Sequence, residues 1–178
     1  MGKLQAVSPC AGLLPLRIGA LAVEEIDAGP ITSVTPFEGA SKAALERALG
    51  MAFPAPLHTS QNGSVRCVWA AQGEALLMGA VPDAGLGAYA AVVDQSDAWA
   101  VVRLLGADGA EALARLVPVD MRLHVFPVGA TVRSQLGHMN ASITRTGEEE
   151  IMIAVFRSMA ATLVHDLTSA LEAVAARR

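Results

Sequence analysis

The sequence predicts an α+β fold, with antiparallel sheets and helices on one side. Short β-branched or apolar runs recur between Ile31 and Phe156. Tight turns rich in glycine and polar residues separate many of them, where parallel strands would need crossover helices. Helical periodicity is confined to a few segments and does not alternate regularly with the strands.

Residues 1–29 hold Pro9, Pro15 and no sustained period, so an irregular N-terminal arm with a short strand near Leu16–Val23 is expected. A single module, residues 30–178, follows as two related βαβ-type halves, roughly 30–89 and 90–178. The run Ile31-Thr-Ser-Val-Thr-Pro-Phe37 suits a strand, and Pro36 confines that strand's end to an edge or terminus. Ser41 reads as the N-cap of a helix over Lys42–Leu49, closed by Gly50. Met51–Ser64 carries two prolines and Asn62-Gly63 and reads as a loop. Val65–Ala70 and Glu74–Gly79 are joined by Ala71-Gln72-Gly73 as a hairpin. Pro82-Asp83 opens a short helix through Gly85–Tyr89.

In the second half, Ala90–Asp94 and Ala98–Leu105 read as strands across a Gln95-Ser96-Asp97 turn. Asp108 and Glu111 form a capping-box pattern for a helix whose Leu113, Leu116 and Val117 share a face. Pro118 stops it. Ala130–Leu136, His138–Thr146 and Ile151–Phe156 are strands, with Gly147-Glu-Glu-Glu150 a charged hairpin tip. Ser158 caps a long helix to Arg178, with Leu163, Leu167, Ala170, Leu171 and Val174 on one face. Arg177 and Arg178 sit where cations favour the helix dipole.

Composition narrows the function classes. Hydrophobic residues make up 53% of the chain and charged residues only 17%, against a usual ~25% charged. The mean hydropathy is +0.44. Part of the surface is therefore expected to face a partner, and self-association of the isolated chain is expected with it. Apolar runs break well short of the ~20 residues a membrane helix needs, and Arg17 inside Leu13–Val23 argues against a secretory signal. A cytoplasmic location is the resulting expectation. The net charge is −4 and lysine occurs only at Lys3 and Lys42. Nucleic-acid binding thus lacks its main source of affinity. Cys10 and Cys67 belong to no CxxC motif and read as free structural cysteines.

No catalytic set stands out. Gly85-Leu-Gly87 lacks the third glycine and the preceding strand of a dinucleotide loop. There is no phosphate-binding GxxxxGK[ST] loop and no GxSxG elbow. His58, His124, His138 and His165 lie far apart and without metal-ligand spacing. Asp94 and Asp97 are better explained as turn formers than as an acid–base pair. Arg103, Arg133, Arg145 and Arg157 lie in or beside strands. Guanidinium groups there point to anion recognition, to contacts across an interface, or to internal pairing with Asp97, Asp120 or Asp166. Arg133, Arg145, Arg157 and His138 are the candidate partner or anion contacts. No catalytic, cofactor-binding or metal residue is assigned.

An ordered set of motifs carries a family resemblance. Asp94-Gln-Ser-Asp-Ala-Trp-Ala-Val-Val-Arg103, Leu113-Ala-Arg-Leu-Val-Pro-Val-Asp120, Phe126-Pro-Val-Gly-Ala130, Gln135-Leu-Gly-His-Met139 and Phe156-Arg-Ser-Met-Ala-Ala-Thr-Leu163 are the main ones. Ile31-Thr-Ser-Val34 and Phe53-Pro-Ala-Pro56 agree with them. Together they resemble the gamma subunits of heterotetrameric sarcosine oxidases. More distantly the chain is similar to the folate-binding aminomethyltransferases, the glycine-cleavage T-protein superfamily. The resemblance implies a folate-binding-like fold. It also implies a non-catalytic assembly subunit of a complex that oxidatively demethylates sarcosine to glycine. The cofactors implied for that complex are FAD, FMN, NAD, tetrahydrofolate and zinc on other subunits, and the partners are alpha, beta and delta subunits. The transferases carry an aspartate-bearing loop between two strands. The matching hairpin here reads Met139-Asn-Ala-Ser-Ile-Thr-Arg145, with no aspartate. A stand-alone folate or anionic small-molecule binder, with strand arginines gripping carboxylates, is the alternative.

Overall fold

Residues 6–177 are described in the structure, a computed structural model. In chain order the strands are β1 (Leu16–Ile18), β2 (Leu21–Glu25), β3 (Ile31–Pro36), β4 (Thr59–Asn62), β5 (Val65–Ala71), β6 (Glu74–Met78), β7 (Ala90–Asp94), β8 (Trp99–Leu105), β9 (Thr131–Leu136), β10 (Met139–Gly147) and β11 (Glu150–Phe156). The α-helices are α1 (Lys42–Leu49), α2 (Gly109–Leu113) and α3 (Ala160–Ala175). Arg178 and residues 1–5 of the expected N-terminal arm lie outside the described residues.

Every strand pairing is antiparallel. One sheet runs β1-β2-β8-β11-β10-β9 and the other β4-β5-β6-β3-β7. The chain contains the same unit twice. β3-α1-β4-β5-β6 folds to the order β4-β5-β6-β3, and β8-α2-β9-β10-β11 folds to β9-β10-β11-β8. Each unit gains an antiparallel strand beside its first: β7 beside β3, and β2 beside β8.

Packing follows from the period of two along each strand. Ile31, Val68, Leu76 and Met78 from one sheet meet Trp99, Val101, Met152 and Ala154 from the other in a shared layer. The opposite faces bury against helices. Leu163, Leu167 and Leu171 of α3 and Leu113 of α2 cover Val102, Ile143 and Ile153. Leu45 and Leu49 of α1 cover Val34, Cys67 and Leu77. Each sheet therefore has its helices on one side. Burying each such side chain is worth about 1.5–3 kcal/mol, so the α3 stripe is a main tie in the larger core.

Local chemistry sets the boundaries. The Ser41 side chain accepts from Ala44 N–H, and Gly50 N–H donates to Arg47 O to close α1. Asp83 accepts from Gly85 N–H at 2.7 Å and starts a short 3-10 turn over Ala84–Ala88.

Several places differ from the sequence expectation. β7, expected to open the second half, pairs with β3 in the sheet of the first half, and α2 ends at Leu113 before reaching Leu116 and Val117. The short strand expected near Leu16–Val23 within the arm is a β1–β2 hairpin, and β2 pairs with β8. Thr59–Asn62, expected as loop, is an edge strand beside β5. The last helix starts at Ala160 behind a 3-10 turn, so Ser158 is not its cap.

Candidate functional site

The strand register places the four candidate contacts at two ends of the β8–β11 sheet. Arg133 faces Ser142 across the β9–β10 pair, and His138 lies in the turn joining those strands. Arg157 follows Phe156, whose partner is Trp99. These three belong to the Trp99 end. Arg145 lies toward the other end, paired with Ile151.

At the Trp99 end, Trp99 and Phe156 stack with centroids 5.3 Å apart. The Arg133 guanidinium lies 5.3 Å from the Trp99 ring centre. Burial lowers the Arg133 pKa, and nearby Glu74 acts the other way. Arg157 is exposed and donates to the carbonyl of Val7. The segment it holds continues into Ser8 and Cys10, both bonded to the Glu25 carboxylate. His138 is exposed.

Arg145 has a different environment. Among the described residues it is the only buried charged side chain, at 3% exposure. Its Nε donates to Phe126 O at 2.6 Å, Nη1 to Glu148 O at 2.8 Å, and Nη2 to Met121 O. Its backbone accepts from Gly129 N–H at 2.9 Å and donates to Ala130 O at 3.0 Å. Burial pulls its pKa down, yet arginine stays charged at neutral pH. The fork is thus committed to backbone carbonyls, and it fixes the loop Met121–Ala130 against β10.

That loop meets its counterpart from the first repeat. Thr59 N–H donates to Gly129 O and Thr131 N–H to Leu57 O, both at 2.9 Å. His58 and Ala130 form the bridge between them. The bonds are reciprocal: each unit's threonine reaches the residue two before the other's. Both acceptors are left-handed, Leu57 at φ 63° and Gly129 at φ 89°. Glycine takes that shape freely, while for leucine it costs roughly 1–2 kcal/mol. Met121 and Phe126 are buried and pin the second loop to the core. Leu57, Leu123, Val125 and Val128 are left outward, each 42–52% exposed. These outward residues were not singled out from the sequence. The signal was present: Phe53-Pro54 before Thr59 repeats as Phe126-Pro127 before Thr131.

Other candidates resolve into structure. Asp94 accepts from Ser96 N–H at 2.9 Å and Ser96 Oγ at 2.6 Å, which lowers its pKa. It is a turn acceptor, poorly suited to general acid chemistry. Arg103 donates twice to Glu24 Oε2, at 3.0 and 2.8 Å, in place of the expected aspartates. Two clefts of about 380 and 400 Å³ flank Ile26–Gly29. Arg66 shares one with Asp27 and Glu150, and Arg157 shares the other with Glu25 and Asp27. Two carboxylates against one cation make each a poor anion site. Among the described residues no three His, Cys, Asp or Glu side chains group as a metal site would need. Among them also, no helix is long and apolar enough to cross a membrane.

The profile of the sarcosine oxidase, gamma subunit family matches residues 35–172. The chain belongs to that family. Its structure is similar to a chain of the heterotetrameric sarcosine oxidase from Corynebacterium sp. U-96 in complex with pyrrole 2-carboxylate, with a TM-score of 0.81 and 23% identity over 96% of both chains. It is also similar to the glycine cleavage system aminomethyltransferase T from Bartonella henselae. There the TM-score is 0.58 and the identity 17%, over 82% of this chain and 44% of that one. No curated protein matches by sequence. The α+β class and the aminomethyltransferase-like layout expected from sequence are those of the gamma-family fold.

Proposed function

We propose that this chain is the gamma subunit of a heterotetrameric sarcosine oxidase, a non-catalytic part that completes the complex by contact. The family match across residues 35–172 carries this reading. The disposition of charge supports it. Arg145 is engaged by carbonyls, Arg103 by Glu24, and Asp94 by its own turn. These groups hold the scaffold, while apolar side chains stand outward on a rigid pair of loops.

In this reading the partners are the alpha, beta and delta subunits, and the complex oxidatively demethylates sarcosine to glycine in the cytoplasm. FAD, FMN, NAD, tetrahydrofolate and zinc are held by those other subunits. This chain supplies shape and leaves the redox steps to them.

Co-expression with the other three subunits tests the proposal. The chain is expected to co-purify in a fixed ratio with an active flavoprotein. An active, stable complex that forms equally well without it would overturn the reading. Calorimetry of the purified chain with tetrahydrofolate is expected to give no heat; micromolar binding would favour a stand-alone folate binder.

A further inference from the structure

We propose that the face where the Phe53–His58 and Met121–Ala130 loops meet is the docking surface for another subunit of the oxidase, one presenting an apolar area rimmed by carboxylates. This rests on the subunit reading above and adds the place of contact and the chemistry of the partner.

Three independent features point to this face. The first is its apolar exposure. Among the described residues ten large hydrophobic side chains are exposed, and Leu57, Leu123, Val125 and Val128 on these loops are four of them. An open groove of about 770 Å³ continues the face past Phe53, Pro54, Pro56 and Trp69. Exposed apolar side chains grouped on neighbouring loops mark contact sites.

The second is rigidity. The Arg145 fork on the loop carbonyls and the leucine held at φ 63° fix the shape of both loops. Here the tether and the reciprocal threonine bonds hold the outward side chains in place before any partner arrives. Preorganisation lowers the ordering cost of association.

The third is charge. The chain carries a net charge of −4, yet residues 51–58 and 121–130 contain no carboxylate. Nor does any residue lining the groove. Arg122, His58, His124 and Lys42 stand around the face. The adjoining acids are engaged: Asp120 by Arg122 at 2.5 Å, and Glu46 by Phe53 N–H at 3.0 Å and Lys42 at 3.8 Å. The cations stand outermost, Lys42 and Arg122 at 79% and 69% exposure against 26% and 37% for Glu46 and Asp120. A second copy therefore fits less well: a two-fold interface sets the same patch against itself and brings these outer cations together. A different chain with carboxylates around an apolar centre satisfies both the apolar area and the rim.

The test measures binding of the purified chain to the co-expressed alpha, beta and delta subunits by interferometry. Leu57→Gly keeps the left-handed backbone and removes the side chain. It is expected to bind about tenfold more weakly, with a melting temperature equal to or above that of wild type. Val125→Glu and Val128→Glu, both on exposed positions, are expected to bind at least about 100-fold more weakly. Val81→Glu, at a site 77% exposed and outside both loops, is expected to bind as wild type does. Added salt is expected to weaken the wild-type complex. Loop variants that bind like wild type would overturn this proposal and leave the subunit reading intact. Failure of wild type to bind at all would remove that reading, and this one with it. Loop variants that change only self-association of the isolated chain, read by sedimentation, would assign the face to a second copy and overturn the proposal.

Discussion

Replacing Arg145 with methionine removes three donors at once while roughly keeping the side chain's length. The carbonyls of Phe126 and Met121 lose their partner in a buried setting, and that of Glu148 in a partly buried one. Each buried carbonyl left without a donor costs about 1–3 kcal/mol, so the two enclosed ones cost about 2–6 kcal/mol; Glu148 O turns to water. Removing a desolvated charge returns part of this. The expected net loss is about 2–4 kcal/mol, which for a chain of this size lowers Tm by about 5–15 °C. Denaturant unfolding followed by circular dichroism reads the loss. Limited proteolysis reads its location, since the Met121–Ala130 loop is then held mainly by its backbone bonds and is cut sooner. Arg145→Lys keeps the buried charge but not the fork, and is expected to lose at least as much. A loss under about 1 kcal/mol, with unchanged protease resistance in that loop, would refute the clamp.

Three further outcomes are expected. Gly106→Ala places a Cβ 2.8 Å from Ala20 O and from Leu21 Cδ2 at φ 120°, and should cost at least about 1–3 kcal/mol in chemical denaturation; an unchanged midpoint would show that the β1–β2 hairpin yields freely. Burial raises the Cys10 thiol from 9.0 to about 11, with Glu25 adding to the shift, and burial raises Cys67 from 9.0 to about 12. The folded state keeps these protons longer than the unfolded one, so this contribution is full below pH 9 and is lost as pH rises toward those values. Unfolding midpoints should fall across that window, and fall less in Cys67→Ala; equal slopes would contradict the assignment. Arg133→Ala removes the cation over Trp99 and should cost about 0.5–2 kcal/mol and alter the fluorescence of that indole; identical emission and stability would show the contact to be idle.

The regular fold was largely legible in the sequence, and the reasons are local. Ser41 and Gly50 announce α1 because capping is read from residue type, and the observed helix is Lys42–Leu49. The hairpins over Val65–Met78 and Met139–Phe156 announce themselves by β-branched runs around short turns. β4 escaped because Thr59-Ser-Gln-Asn62 is polar throughout. It is an edge strand, beginning beside the His58–Ala130 bridge between loops far apart in sequence. The strand expected near Leu16–Val23 was not seen to be two, β1 and β2, because Glu24 and Glu25 hide the period of the second. Glu24 meets Arg17 and Arg103 only once the sheet has formed.

The site was less legible for the same physical reason. Which strand arginine is enclosed depends on register, a long-range property, so nothing local separates Arg145 from Arg133 or Arg157. The carbonyls that Arg145 grips belong to a loop up to 24 positions away. Leu57 gives no warning of its backbone shape, because residue type alone argues against it. Only a comparison of the two halves, aligning Leu57 with Gly129, exposes it.

The duplicated unit has a consequence for assembly. Its two loops meet through reciprocal bonds, but their tips differ: one ends in Pro56-Leu57, the other in Val128-Gly129. A perfectly symmetrical pair would accept a visitor in either of two headings, half a revolution apart. On the docking face proposed above, a partner would meet leucine on one side and glycine on the other, and that difference would leave it a single heading.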